Sequence, residues 1–235
     1  MDLLIGTSGF AYKEWNGTFY PKGLSSSGML RFYAEHFRAV EINNTFFRMP
    51  TESVLRQWAD DVPDGFRFAM KAPQLITHRK RLKEVDEPVA QLFQVAGALE
   101  ARLGPVLFQL PPNFKKDLPR LVTFLDLVPT NAKVAMEFRH PSWFEEDVFD
   151  ALRGRNAALC IAHGEDLDTP AVSTADWGYL RLRQVIYADA ELQEWQRYVR
   201  AQDWSEVHVF FKHEDTGTGP TLARQFGEMF RTSAP

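Results

Sequence analysis

The chain has 235 residues, 45% of them hydrophobic and 13% aromatic, and its 27 Lys and Arg against 31 Asp and Glu leave a net charge of −4. This supplies one sizeable core and excludes a whole-protein basic field of the kind that draws in nucleic acid or anionic membrane. The lone Cys160 excludes an intrachain disulfide, and no apolar run approaches the ~18 residues of a membrane span. A cytoplasmic setting without a leader is expected, because Asp2 follows Met1 with no basic segment and cysteine is scarce. Cys160 lies among Ala157, Ala158, Leu159 and Ile161, so it reads as a buried structural thiol rather than a nucleophile.

In chain order, Leu3-Leu4-Ile5 is a first strand stopped by Gly6-Thr7-Ser8-Gly9. An aromatic loop with Phe10, Tyr12, Trp15, Phe19 and Tyr20 leads to a helix over about 28–37, behind the N-cap candidates Ser25 to Ser27. Val40-Glu41-Ile42-Asn43 alternates as a second strand, a helix follows over 52–60, and Phe66 to Lys71 alternates as a third strand. A loop with Pro73, Thr77 and His78 precedes a long helix over about 87–103, ended by Gly104-Pro105. Strands then fall at 106–110, 133–139, 157–162, 178–183 and 206–212. Helices are expected over 118–127, 145–153, 189–201 and 221–230, and none is evident over 163–177. Eight strands alternating with helices imply a parallel sheet, and in this length a closed (β/α)8 TIM-type barrel. Residues 1–235 read as one domain with an irregular sixth βα unit; an open doubly wound sheet is the alternative.

Strand side chains alternate between faces, so each strand divides into two rows. Val40 and Ile42 oppose Glu41 and Asn43; Val134, Met136 and Phe138 oppose Ala135, Glu137 and Arg139; Leu180 and Leu182 oppose Tyr179, Arg181 and Arg183. The apolar rows suit the helix layer, which turns the charged rows into the barrel near its C-terminal end, where barrel enzymes keep their sites. Lys71, Gln109 and Lys212 occupy similar late positions. Lys71, Arg139, Arg181, Arg183 and Lys212 are five cations against the carboxylates Glu41 and Glu137, a surplus of three that calls for an anionic ligand group. Arginines in pairs suit phosphate or carboxylate.

Glu41, Glu137 and His140 are the catalytic candidates, as acid or base. Asn43, Lys71, Gln109, Arg139, Arg181, Arg183, Lys212, Trp15 and Tyr12 are the ligand-binding candidates. Aromatics near the loops (Trp15, Phe19, Tyr20, Phe46, Phe47, Trp143 and Trp177) either wall the mouth, stack on a ligand ring, or form a packing layer over the barrel. His78 and His213 also fall in loops after strands, and Thr216-Gly217-Thr218-Gly219 is a weak phosphate-loop signal. No metal-ligand spacing is present, and neither a metal nor a cofactor is expected.

Collected together, these residues resemble the YecE-like family, domain of unknown function 72. The likeness rests on Gly6-Thr7-Ser8-Gly9-Phe10 with Tyr12, Trp15 and Phe19-Tyr20-Pro21, on Val40-Glu41-Ile42-Asn43 with Thr45-Phe46-Phe47-Arg48, and on Lys71 with Thr77-His78. It continues through Gln109-Leu110-Pro111-Pro112 and Glu137-Phe138-Arg139-His140 with Ser142-Trp143, and more faintly through Tyr179-Leu180-Arg181. Phe211-Lys212-His213-Glu214 departs from the family's Phe-Asn-Asn-His pattern. The resemblance implies a TIM-type barrel and no established activity. The expectation is an enzyme, of hydrolase, lyase or isomerase type, acting on a small phosphorylated or carboxylated substrate. The alternatives are an endonuclease-like nucleic-acid binder, less favoured, and a non-catalytic small-molecule sensor.

Overall fold

The computed structural model describes residues 1–164, 169–212 and 217–232. Among these, eight parallel strands close into a barrel in chain order: β1 (Asp2–Ser8), β2 (Ala39–Ile42), β3 (Arg67–Lys71), β4 (Leu103–Gln109), β5 (Val134–Glu137), β6 (Ala158–His163), β7 (Trp177–Leu182) and β8 (Glu206–Phe211). The last strand returns to the first, with His208 opposite Leu4 and Phe210 opposite Gly6. Seven α-helices accompany them among the described residues: α1 (Met29–Ala34), α2 (Glu52–Asp60), α3 (Asp86–Ala96), α4 (Leu118–Leu127), α5 (Glu146–Arg153), α6 (Asp189–Arg200) and α7 (Thr218–Thr232). The chain is a (β/α)8 TIM barrel.

A closed parallel sheet is covered on both faces, so its strands are apolar on both rows except at the mouth. The outward rows, with Ile5, Val40, Ile42, Phe68, Met70, Leu180, Leu182, Val207 and Val209 on one side and Val106, Phe108, Val134 and Met136 on the other, pack on the helices. Leu4, Ala39, Ala69, Leu107, Ala135, Ala158, Cys160, Trp177, Tyr179 and Phe210 fill the interior. That filling is uneven. β2, β3, β5 and β6 contribute alanines, and the bulk comes from the aromatic residues of β7 and β8. Rings rooted on one wall therefore occupy the volume that small residues leave on the other.

The N-terminal end of the barrel is closed by a polar cluster. His208, fully buried, bonds Glu206 at 2.8 Å, and Lys133 pairs with the same carboxylate at 2.7 Å. The His208 hydrogen bond outweighs burial to hold Glu206 down at about 2, while burial pushes His208 below its ordinary value.

Several boundaries differ from expectation. The helix expected over 87–103 is α3 followed by a tighter turn, Gly97–Arg102, and Glu100 adopts a left-handed φ of 52° there. Gly104 and Pro105 do not end a helix; they lie in β4, where the missing Pro N–H is tolerated beside the shifted β3–β4 register. The loop after β3 winds into a π-helical turn, Leu75–Arg79. Between β6 and β7 no helix occurs among the described residues, in line with an irregular sixth unit. Thr174 anchors that segment by accepting the Leu159 N–H at 2.7 Å and donating to the Ala157 carbonyl at 2.8 Å.

β1 and β2 approach so closely that a Cβ added at Gly6 would lie 1.8 Å from the Ala39 carbonyl oxygen and 2.8 Å from the Tyr33 hydroxyl. Gly6→Ala is expected to destabilise the fold by about 3 kcal/mol, lowering the thermal midpoint by roughly 6–12 °C for this chain length. A circular-dichroism melt reads it; an unchanged midpoint would refute so close an approach.

Candidate functional site

Of the expected inward rows, Glu41, Glu137, Tyr179 and Arg181 lie inside the barrel, and Ser8 joins them. Ser8, Glu41, Glu137, Tyr179 and Arg181, from β1, β2, β5 and β7, are all buried in the barrel near its C-terminal end. Arg181 spans the interior: Nη2 donates to Glu41 Oε1 at 2.9 Å and Nη1 donates to Glu137 Oε2 at 2.6 Å. Glu41 also accepts from the Ser8 hydroxyl at 2.8 Å, from Asn43 Nδ2 at 3.0 Å and from the Tyr179 hydroxyl at 2.7 Å. Glu137 accepts from Gln109 Nε2 at 2.7 Å, and Arg183 Nη1 stands 3.8 Å from it. Arg181 Nε is buried without a hydrogen-bond acceptor among the described residues.

Electrostatics follow from this geometry. Burial alone would raise the Glu41 carboxyl, but the Arg181 guanidinium and the hydroxyls of Tyr179 and Ser8 outweigh it and hold Glu41 at about 2. Burial acts the same way on Glu137, and Arg181, Arg183 and Gln109 overcome it to keep that carboxyl below the ordinary range. Arg181 is pushed the other way: burial opposes its charge, but the two carboxylates raise it well above its usual value. Both carboxylates are therefore ionised and already engaged. Burial and the neighbouring Glu137 raise the Cys160 thiol well above its ordinary value, as befits a buried structural cysteine.

Lys71, at the end of β3, is different. Its Nζ lies 4.5 Å from the centroid of the Phe46 ring and, among the described residues, makes no hydrogen bond and has no carboxylate within ion-pair distance. Burial first, and then the Arg181 charge, lower it to about 8. His78 packs edge-on against the same Phe46 at 4.8 Å, and burial followed by the Lys71 charge lowers its pKa. Arg139 acts electrostatically on His78 from the end of β5, and Lys212 follows β8, tied by its backbone N–H to the Leu182 carbonyl at 3.2 Å.

Other candidates stand elsewhere. Trp15 is 1% exposed, packed among Tyr12, Phe19 and Tyr20 under α1, so it cannot touch a ligand. Trp143 and Trp177 are likewise buried, the latter at the opposite end of the barrel at the start of β7. His140 uses Nδ1 to accept the Ser142 N–H at 3.2 Å and cap the turn Pro141–Trp143, which ties it to that turn and not to the carboxylates. Tyr12 donates to the Ser8 carbonyl at 2.7 Å, folding over Gly9 (φ 93°) beside the network. His213 and Thr216 fall outside the described residues. Ser8 and Tyr179 were missed as site residues; Tyr179 shares the inward row of Arg181, and that parity was the available signal. Among the described residues no group of three or more His, Cys, Asp or Glu side chains is placed to hold a metal ion, and no helix is long and apolar enough to cross a membrane.

A family model described as a protein of unknown function, DUF72, matches residues 4–235. The UPF0759 protein YecE of Escherichia coli strain K12 is 33% identical over 60% of this chain and 50% of its own length, so the chain aligns with about half of that relative. The UPF0759 protein YunF of Bacillus subtilis strain 168 is 27% identical over 97% of this chain and 94% of its own. Among solved structures, a DUF72 family protein of Thermotoga maritima MSB8 superposes with a TM-score of 0.87 at 27% identity, covering 98% of this chain and 100% of that one. A DUF72 family protein of Enterococcus faecalis V583, at 18% identity and TM-score 0.79 over 98% of both chains, shares the fold.

Arg181→Met removes the shared counter-charge, and burial then raises both carboxyls above their ordinary 4.5. The expected loss is roughly 3–5 kcal/mol at neutral pH, the cost of uncompensated buried charge. In the wild type, the depressed carboxyls contribute their stability fully above about pH 4.5 and lose it as pH falls below that, Glu41 towards about 2. In the variant the raised carboxyls regain protons, and stability, as pH falls. The gap between the two thermal midpoints should therefore narrow from pH 8 to pH 5; a constant gap would refute the ion-pair assignment.

Proposed function

The chain belongs to the DUF72 family, whose description carries no activity, and from its own barrel mouth we propose an enzyme that binds a small molecule through a phosphate or carboxylate group. The observation that carries this reading is Lys71: a half-buried cation with no counter-ion among the described residues, while both neighbouring carboxylates are engaged by Arg181. A ligand anion supplies the missing partner, and Arg139, Arg183 and Lys212 supply further positive charge around the same mouth.

The reaction classes that fit are those in which a carbonyl or hydroxyl beside the anion loses or gains a proton, as in lyases, isomerases and some hydrolases. Glu41 and Glu137 keep their place in this reading as positioning groups. Carboxylates held so far below neutrality are weak bases, and their hydrogen bonds aim Arg181, Asn43 and Gln109. The nucleic-acid reading gains no comparable support, because the net charge is −4 and Trp15 is not available for stacking.

Sulfate, which does not titrate in this range, is the cleanest probe. It should raise the thermal midpoint at pH 7, and the stabilisation reaches about 2.7 kcal/mol at one hundred times its dissociation constant. Affinity should fall as pH rises through about 8, where Lys71 loses its charge. Lys71→Met should weaken sulfate binding about tenfold, the scale of one charge-assisted contact. No shift with sulfate, inorganic phosphate or a panel of phosphorylated and carboxylated metabolites would overturn the reading.

A further inference from the structure

Lys71 is placed for chemistry that a simple anion clamp does not need. It ends β3, on a rigid wall of the barrel, with the Phe46 ring 4.5 Å beneath its nitrogen. The groups acting on it are, in order, Arg181, Glu137, Glu41 and Arg183, and His78 shares its aromatic support. Every carboxylate in that set is engaged by a guanidinium, so none offers the amine a close counter-ion. An amine that is half-buried, flanked by cations and without a counter-ion among the described residues has the setting that nucleophilic lysine chemistry uses.

We infer that Lys71 is an imine-forming lysine, and that the ligand of this mouth is a small aldehyde or ketone that also carries phosphate or carboxylate. This rests on the anion-binding reading above and names the substrate class for it. The neutral Lys71 nitrogen donates its lone pair to the carbonyl carbon, and the C=O electrons pass to oxygen. A proton moves from nitrogen to the resulting alkoxide, giving the carbinolamine. Loss of that oxygen as water, carrying one further proton from the nitrogen, leaves the C=N bond, so amine plus carbonyl gives imine plus water. A lysine held at about 8 is roughly one-quarter neutral at pH 7.5, against about one part in a thousand for an ordinary lysine. Protonation of the imine restores a cation where the anionic substrate needs one. That imine then withdraws electrons from the adjacent carbon, the step shared by lyases and isomerases of this kind.

The test is reductive trapping. The full chain is incubated at pH 7.5 with glyoxylate and sodium cyanoborohydride, and carboxymethyl-lysine is mapped by peptide mass spectrometry; pyridoxal 5′-phosphate serves as a second, coloured probe. Lys71 is expected to be modified at least tenfold faster than any other lysine, and sulfate should slow it. Lys71→Met and Lys71→Arg should abolish the fast phase and leave the slow surface labelling unchanged, with circular dichroism confirming the fold of each. Uniform labelling, or an unmodified Lys71, overturns the inference. If sulfate still raises the thermal midpoint in that case, anion binding stands and only the imine is lost; if sulfate has no effect either, both readings fall.

Discussion

The Arg181 guanidinium, reaching from β7 to Glu41 on β2 and Glu137 on β5, is the contact on which the mouth of this barrel depends. Three strands far apart in the sequence are joined through one planar group with little freedom to move. Replacing such a buried set wholesale with apolar residues is often neutral or stabilising, whereas removing one member is strongly destabilising. Its value therefore lies in position more than in net stability. The ladder of donors around it, from Ser8, Asn43, Gln109 and Tyr179, leaves each carboxylate fixed on several sides.

Room for that bridge comes from the interior packing. Alanines at 39, 69, 135 and 158 leave the β2, β3, β5 and β6 walls bare, and Trp177, Tyr179 and Phe210 occupy the volume from the opposite side. Tyr179 does both jobs: its ring packs against Phe210 at 5.3 Å and its hydroxyl reaches Glu41. At the other end of the barrel, His208 bonded to Glu206 closes the floor, with Trp177 edge-on at 6.1 Å. The two ends are thus both polar but unequal. The floor pairs its charges at the rim with Lys133, and the mouth leaves Lys71 without a counter-ion among the described residues.

The state of Lys71 is a consequence of its neighbours and not of its own surroundings alone. Burial disfavours its charge, and Arg181, whose own charge is secured by two carboxylates, adds repulsion. The same guanidinium takes the close hydrogen-bonding positions on Glu41 and Glu137, so these carboxylates support the Lys71 charge only from a distance. On the reading proposed above, a ligand anion would reverse this balance and a ligand carbonyl would exploit it.

Much was legible from residue order. The period-two alternation of Val40-Glu41-Ile42-Asn43 and of the strands ending in Arg139 and Arg183 placed charged rows inside a barrel, because strand geometry allows side chains only two faces. Turn residues and helical spacing located α4 over Leu118–Leu127 and α2 over Glu52–Asp60. Boundaries went astray where local signals misled, as at Gly104-Pro105, whose breaker character is overridden by the pairing of β3 with β4. Trp15 was misplaced because an aromatic in a loop gives no sign of whether it turns to the mouth or under a helix; contact with Tyr12, Phe19 and Tyr20 decided that. Residue order by itself determined the barrel and the inward row that carries Glu41, Glu137 and Arg181, since both depend on periodicity. Which carboxylate meets which guanidinium, and hence which lysine has no partner among the described residues, was decided only when closure of the barrel brought residues 41, 137 and 181 within hydrogen-bond reach. Pairing of charges depends on distance, and distance across a barrel is not written along the chain.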